Sequence, residues 1–464
     1  MNQNVGALLR ERKRKYFARG IAFAVASGIC YGLYTGFLTL GETQGVWGEW
    51  FAGSEWGEGN PALGTFTIVF ALAALAAGIN DLASAIWSLI VCAKNRQLGD
   101  LWKTMKTRPG LVMMLCAAIG GPFATIAYVI ALNSATAAGN PGVIVPIAAL
   151  NCAIGAILGR ILFRQDLKTH KVAGIVICLF SAALIGGTSF ASMGPEALMG
   201  CLFAFLAAFG WGFEGCVAGF GTILIDYRIG IAIRQMTAGI LELFVVFPVL
   251  AAIGGGLGSA FELAGAAFAS PALVFFVISG FFAMPAFSFW YKGNSMCGTA
   301  LGMACNGMYA FWGALLHLDH HGSAQHRRNV CRLPPSFGRS MDRGAHDGRR
   351  HLLHSRQPRE IFQRQQERRV IDMGDSLIPL HYAILKHFMD GEADCADGVV
   401  RALEGDYRGY KLLNRADVEE TLATAKENGL LDEAGYDLSE EGYLRIRYRI
   451  NSFGEDMMGR YIAK

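Results

Sequence analysis

Three carboxylates stand inside apolar runs, where an ionised side chain costs roughly 3 kcal/mol to place in a bilayer. They are Glu214, directly after Trp211-Gly212-Phe213, Asp81 beside Asn80, and Glu242. An acid at such depth can hold a cationic group or carry a coupled proton; the alternative is a carboxyl that ties two helices together by hydrogen bonding. Tyr31, Tyr34 and Trp211 can stack on a bound molecule, although aromatics at helical spacing also pack against one another. Asn133 and Asn294 either line a polar path or bridge helices. These nine side chains are the substrate-binding or coupling candidates. No catalytic residue, cofactor or metal site is expected, and so no enzyme. The 11 Cys lack C-x-x-C spacing, and no nucleophile with a paired base is apparent.

The elements that must position these groups are membrane helices. Crossing a hydrocarbon core takes roughly 20 helical residues, and eight complete spans can be written: 20–40, 64–93, 111–133, 143–163, 171–187, 198–225, 235–256 and 273–291, with a ninth starting near Thr299. The basic stretch Arg10, Arg12, Lys13, Arg14, Lys15 and Arg19 leads into a first span too long for a cleaved signal. All 18 Lys and Arg of residues 1–313 fall in that tail, in the connections 94–108, 160–171 and 226–234, or at Lys292. The other connections, 41–63, 134–142, 188–197 and 257–272, carry none. By the positive-inside rule the N-terminus is cytoplasmic, in a bacterial-type inner membrane, and the loop 41–63 is external. Its Trp47, Trp50 and Trp56 suit an interfacial belt.

Spans one and six share a pattern. Gly20, Phe23, Ala24, Tyr31 and Gly32 recur 180 positions later as Gly200, Phe203, Ala204, Trp211 and Gly212, and Asn133-Ser134 recurs 161 positions later as Asn294-Ser295. Five spans is an odd number, so the second copy would enter the membrane from the opposite face. An inverted 5+5 helix repeat of this kind places a carrier's site between its halves. The first repeat is 16–188 and the second, incomplete, is 198–313, after the basic tail 1–15. Ala131-Leu132, a short Ala/Gly turn, Val145-Pro146, Arg164-Gln165-Asp166-Leu167 and the Gly174-containing fifth span resemble the drug/metabolite transporter superfamily, in particular its EamA-like ten-helix branch. The family run has Gly-Glu where Arg164-Gln165 stands here. The resemblance covers about residues 16–313 and implies a secondary transporter of small polar metabolites, of amino-acid, nucleoside or sugar class, working mostly outward without ATP. Its partners are then a small-molecule substrate and the lipid bilayer, and a homodimer is compatible with it.

Composition changes abruptly near Gly313. Residues 314–372 hold 12 Arg, no Lys and 7 of the 10 His, without apolar periodicity. The tract begins where the repeat requires the rest of span nine and then span ten. It is therefore expected to be translated in a shifted frame, leaving the chain impaired as a carrier. Residues 373–464 regain order, with 11 basic against 18 acidic residues, a net charge of about −7. Ile378, Leu380, Ala383, Ile384 and Phe388 share a helical face, Ala416 to Asn428 reads as a helix stopped by Gly429, and Tyr443 to Ile450 alternates as a strand. Asp417-Val418, Gly429-Leu430-Leu431, Tyr436-Asp437-Leu438-Ser439 and Gly442 resemble a small α+β winged-helix domain. Such domains often bind DNA, but the negative charge argues against a strong phosphate footprint and favours a protein-interaction role. The segment is also expected to be separable, as a downstream gene product. The alternative to the carrier is a membrane-anchored sensor with this domain as its output.

Overall fold

The computed structural model describes residues 2–51, 63–137, 144–163, 195–308 and 377–461 apart from 65, 256 and 440, with isolated residues elsewhere. The chain divides into two units, Met1–Leu318 with Ile378–Lys464, and Asp319–Leu377. The aberrant tract 314–372, most of span five and Trp56 lie outside the described residues.

Six described helices are long and apolar enough to cross a membrane: Gly6–Glu42, Thr67–Lys94, Arg108–Ala131, Leu198–Gly219, Tyr227–Gly255 and Leu273–Cys297. They match spans one, two, three, six, seven and eight. Span four is two shorter pieces, Ile144–Ala148 and Asn151–Phe163, and span nine begins as Thr299–Asn306. Span one packs on span eight, and span six on span three; span two packs on both seven and eight, and span three on seven. The Asn151–Phe163 piece meets span six and Thr299–Asn306, which in turn meets span one. Close approach depends on residues without side chains. A Cβ on Gly293 would press on the Ala24 backbone, and one on Gly239 would meet the Leu82 backbone. Both contacts would have to open.

Among the described residues, three π-helical turns occur in the spans, at Thr67–Leu72, Ile119–Phe123 and Glu242–Val246, the second containing Pro122. Proline has no N–H to give its helix, and a wider turn accommodates the lost bond.

Several sequence expectations need correction. The connection 226–234 is really the start of a helix: the Asp226 side chain caps Tyr227–Leu241 by accepting from the Arg228 N–H at 2.9 Å, so Arg234 lies inside span seven. Lys292 lies within the helix Leu273–Cys297 and is only 7% exposed, with its ammonium 4.6 Å from both the Phe23 and Tyr227 ring centroids. The loop 41–63 contains the helix Gly45–Phe51, whose Trp47 and Trp50 are buried against Phe276 and Leu72. Trp47 has no exposure and Trp50 is 8% exposed, so these two indoles belong to the core rather than to an interfacial belt. The connection 257–272 is largely helical, as Leu257–Ala269.

The C-terminal segment forms in order the helices Leu380–Lys386, Ala396–Leu403 and Arg415–Glu427, an antiparallel hairpin of strands Leu431–Leu438 and Leu444–Ile450, and the helix Ser452–Tyr461. Asp394 adds an isolated bridge to Tyr448. Asn414 caps the third helix by accepting from the Asp417 N–H, and Gly429, at φ +80°, ends it in the left-handed region that glycine adopts freely. The second strand alternates buried and exposed residues, and Leu444, Ile446, Tyr448 and Ile450 fill the domain core.

Candidate functional site

Span seven carries the centre of the site. Arg234 is eight residues past its Asp226 cap, roughly 12 Å along the axis, and enters a polar pocket where spans two, six, seven and eight meet. Its Nε donates to Glu214 Oε1 at 2.9 Å and its Nη1 to Asp81 Oδ2 at 2.8 Å. Nη1 also faces Gln235 Oε1, and the guanidinium lies 3.9 Å above the Phe287 ring centroid. One planar cation thus engages two carboxylates from different helices through separate N–H groups of its rigid fork. Arg234 is 4% exposed, Glu214 1% and Asp81 7%.

A second set of groups holds these three in place. Tyr291 donates its hydroxyl proton to Glu214 Oε1 at 3.0 Å, Asn80 Nδ2 donates to Asp81 Oδ1 at 3.1 Å, and Gln235 Nε2 donates to Ser84 Oγ at 2.6 Å. Ser279 Oγ lies 2.8 Å from the Tyr34 carbonyl and 2.6 Å from Asn80 Oδ1, and its single proton serves one acceptor at a time. Gly120, in the π turn of span three, makes room for Glu214: a Cβ there would collide with the carboxylate. Burial of three charges is tolerated only when they are paired and hydrogen-bonded.

Among the candidates, Glu214, Asp81 and Asn80 are brought together. Tyr31 and Tyr34 pack edge to face at 4.5 Å, and Tyr34 borders the cluster through Phe287 at 6.1 Å. Trp211 instead sits against Tyr128 at 5.3 Å on the span-three side. Asn294 donates to the Gly215 carbonyl at 3.1 Å, which joins span eight to span six. Asn133 belongs to the helix Ala124–Ala137, and its side chain is outside the described residues. Glu242, two turns beyond Arg234, makes no hydrogen bond to the cluster among the described residues, although Asp81 and Arg234 act on it through their charges. It is 3% exposed, its Oε2 has no hydrogen-bond partner among the described residues, and it lines an apolar cavity of about 20 Å³ with Phe70, Pro122 and Ile126.

Arg234, Gln235, Tyr291, Phe287 and Ser84 were not foreseen. For Arg234 a signal existed: Asp226 is a capping residue type, and a helix started there carries Ile229 and Ile233 into the core with Arg234 beside them.

A second polar region joins the bundle to the C-terminal domain. Arg12 pairs with Glu419, Lys13 with Glu433 at 2.9 Å, Arg19 with Glu420 at 2.9 Å and Lys292 with Glu420 at 2.5 Å. Asp100, 3% exposed, accepts from the Leu380 N–H at 3.0 Å and the Tyr410 hydroxyl at 3.3 Å. Burial pushes its carboxyl up to about 6, although the Leu380 N–H and Lys103 work against that. Burial likewise lowers the affinity of His381 for its second proton; its Nε2 lies 2.6 Å from the Ile223 carbonyl. Asp100, Asp226, Lys292, His381, Tyr410 and Glu420 line a cavity of about 60 Å³. No protein-family model and no curated protein matches the chain.

Proposed function

We propose that the chain is a secondary carrier of small polar metabolites of amino-acid, nucleoside or sugar class, of the EamA-like kind, built as an inverted repeat. The observation that carries this reading is Arg234 held between Glu214 and Asp81 where four apolar helices meet. Ionisable groups inside membrane spans are costly and rare, and they mark pathways for ions or polar solutes. The packing supports the repeat. Exchanging one with six, two with seven, three with eight and four with nine turns the one-eight contact into six-three, the one-nine contact into six-four and the two-eight contact into seven-three, all of which occur. The two-seven and four-nine contacts map onto themselves, and Asp81 and Arg234 stand on the two-seven pair; carriers of this plan bind their solute between the halves. The three charged residues are at most 7% exposed, and in this reading a solute reaches them only when helices part. Glu242, with no partner for Oε2, is the group in this reading that takes a coupling proton. The end of the bundle rich in Lys and Arg is cytoplasmic, and the Arg/His tract stands where spans nine and ten of the repeat belong, so that transport itself requires a frame-restored form.

The test is a thermal-stability screen of the purified chain against a panel of amino acids, nucleosides and sugars. One class should raise the midpoint of the unchanged protein and leave Glu214→Gln unmoved. In the frame-restored form the same class should be taken up into proteoliposomes. A panel without effect on any form, or stabilisation equal in Glu214→Gln, would dismiss the Arg234 cluster as a binding site.

A further inference from the structure

The C-terminal domain touches the basic end of the bundle on both of its halves. Toward the first half, Glu419, Glu433 and Glu420 meet Arg12, Lys13 and Arg19 of span one, and Leu380 and Tyr410 meet Asp100 in the connection between spans two and three. Toward the second half, Glu420 meets Lys292, Asn428 Nδ2 donates to the Ser295 carbonyl at 2.8 Å, and His381 meets the carbonyl of Ile223 near the end of span six. Glu420 therefore bridges Arg19 of span one and Lys292 of span eight with one carboxylate. Glu420, and Glu419 beside it, belong to the helix Arg415–Glu427, the third helix of the domain. In a winged-helix reading that is the helix that would enter a DNA groove; here it lies on protein. Charge complementarity gives the reason: the domain is acidic, and the stretch it covers in residues 10–19 holds six basic residues against one acid, Glu11.

We propose that this domain is a charge-held clamp that ties the two halves of the bundle together at their basic end and shuts the route from that end to the Arg234 cluster. The shutting role rests on the carrier reading, whereas the tying does not. Water can enter along spans one and eight only if their cytoplasmic ends separate, and a carboxylate shared by both ends opposes that separation. The Arg19–Glu420 pair is partly exposed, with the Arg19 side chain at 58% and that of Glu420 at 23%, whereas the Lys292 side chain is at 9%, so salt acts on the clamp through its Arg19 arm. Raising ionic strength from about 0.15 M to about 1 M shortens the screening length from about 8 Å to about 3 Å. A clamp made of apolar packing would tighten instead.

Cys297 reports on the seam. It is 4% exposed, its Sγ lies 3.1 Å from the Gly293 carbonyl, and its backbone is where a Cβ on Gly20 of span one would press. Full-length protein is treated with a maleimide, and labelling is read peptide by peptide by mass spectrometry. Glu420→Lys should raise the rate at Cys297 by about tenfold, the change expected if the clamp is weakened by about 1.4 kcal/mol. High salt should do the same in the unchanged protein. Adding Arg19→Glu and Lys292→Glu to Glu420→Lys should return the rate toward its starting value. Cys395, buried inside the domain, must stay protected for the variant to count. If it labels, the domain has come apart, and the salt series on the unchanged protein decides alone. A Cys297 rate indifferent to salt overturns the clamp, as does a charge-swapped protein that stays as open as Glu420→Lys. Neither result touches the solute-binding test, so the clamp and the carrier can fail separately.

Discussion

Arg234→Gln should be the most damaging single change in the buried cluster, and the reason is charge balance. The unchanged site holds one cation and two carboxylates in direct contact, at 2.8 and 2.9 Å. At an effective dielectric constant near 20, each pair of charges about 4 Å apart is worth about 4 kcal/mol. Much of this offsets the cost of burying the ions. Removing the arginine leaves two carboxylates that repel one another and keep only the neutral donors Tyr291 and Asn80, and breaking a buried pair from one side costs about 3–5 kcal/mol. Glu214→Gln is milder: its amide oxygen still accepts from Arg234 and Tyr291, and Arg234 keeps Asp81, so the cost is that of one weakened hydrogen bond, about 1–2 kcal/mol. The triple variant Arg234→Met, Glu214→Gln, Asp81→Asn removes every charge at once and should recover most of the stability that Arg234→Gln loses. Because the three side chains touch, their effects should be strongly non-additive. Unfolding by SDS titration in bicelles, followed by far-UV circular dichroism, gives the free energies. The reasoning fails if Arg234→Gln lies within about 1 kcal/mol of the unchanged protein, or if the triple variant is no more stable than Arg234→Gln. A triple variant that is stable yet no longer responds to the metabolite panel would separate the cluster's function from its cost.

Two further outcomes are expected. For Asp100, the folded state raises the carboxyl from 3.8 to about 6, so its stabilising contribution is complete below about 3.8 and is lost as pH rises through about 6, by about 3 kcal/mol in all. Asp100→Asn should therefore remove a fall in thermal midpoint between pH 4 and pH 7, whereas His381, lowered by burial, acts oppositely and equally in both proteins; parallel midpoint curves for the two would contradict this. Gly120→Ala should push Glu214 off Arg234, since the new methyl group occupies the place of the carboxylate, and lower stability by about 1–3 kcal/mol; an unchanged SDS midpoint would show that the π turn yields freely.

The sequence alone determines the parts of this protein that are sums over a segment. Apolar length defines spans one, two, three, six, seven and eight, because burying about 20 residues in hydrocarbon outweighs any single misplaced side chain. The helix Ala416 to Asn428 and its stop at Gly429 were legible because helical periodicity and left-handed backbone are local chemistry, whereas its Asn414 cap was not read. Glu214, Asp81 and Asn80 were legible as a cost that requires an explanation. What the explanation is depended on tertiary structure. Arg234 at the edge of an apolar run fits a cytoplasmic loop as well as a buried site, and only two carboxylates arriving from spans two and six settle the choice. The same holds for Trp47, which hydropathy places at an interface and the ring of Phe276 places in the core. It holds also for Glu420, one acid among the 18 of a segment that sequence reading set apart from the bundle. Its partners, Arg19 and Lys292, are 401 and 128 residues away along the chain, on two different helices. A pattern read along the chain has no term for such a meeting, because the energy of an ion pair belongs to a distance in space.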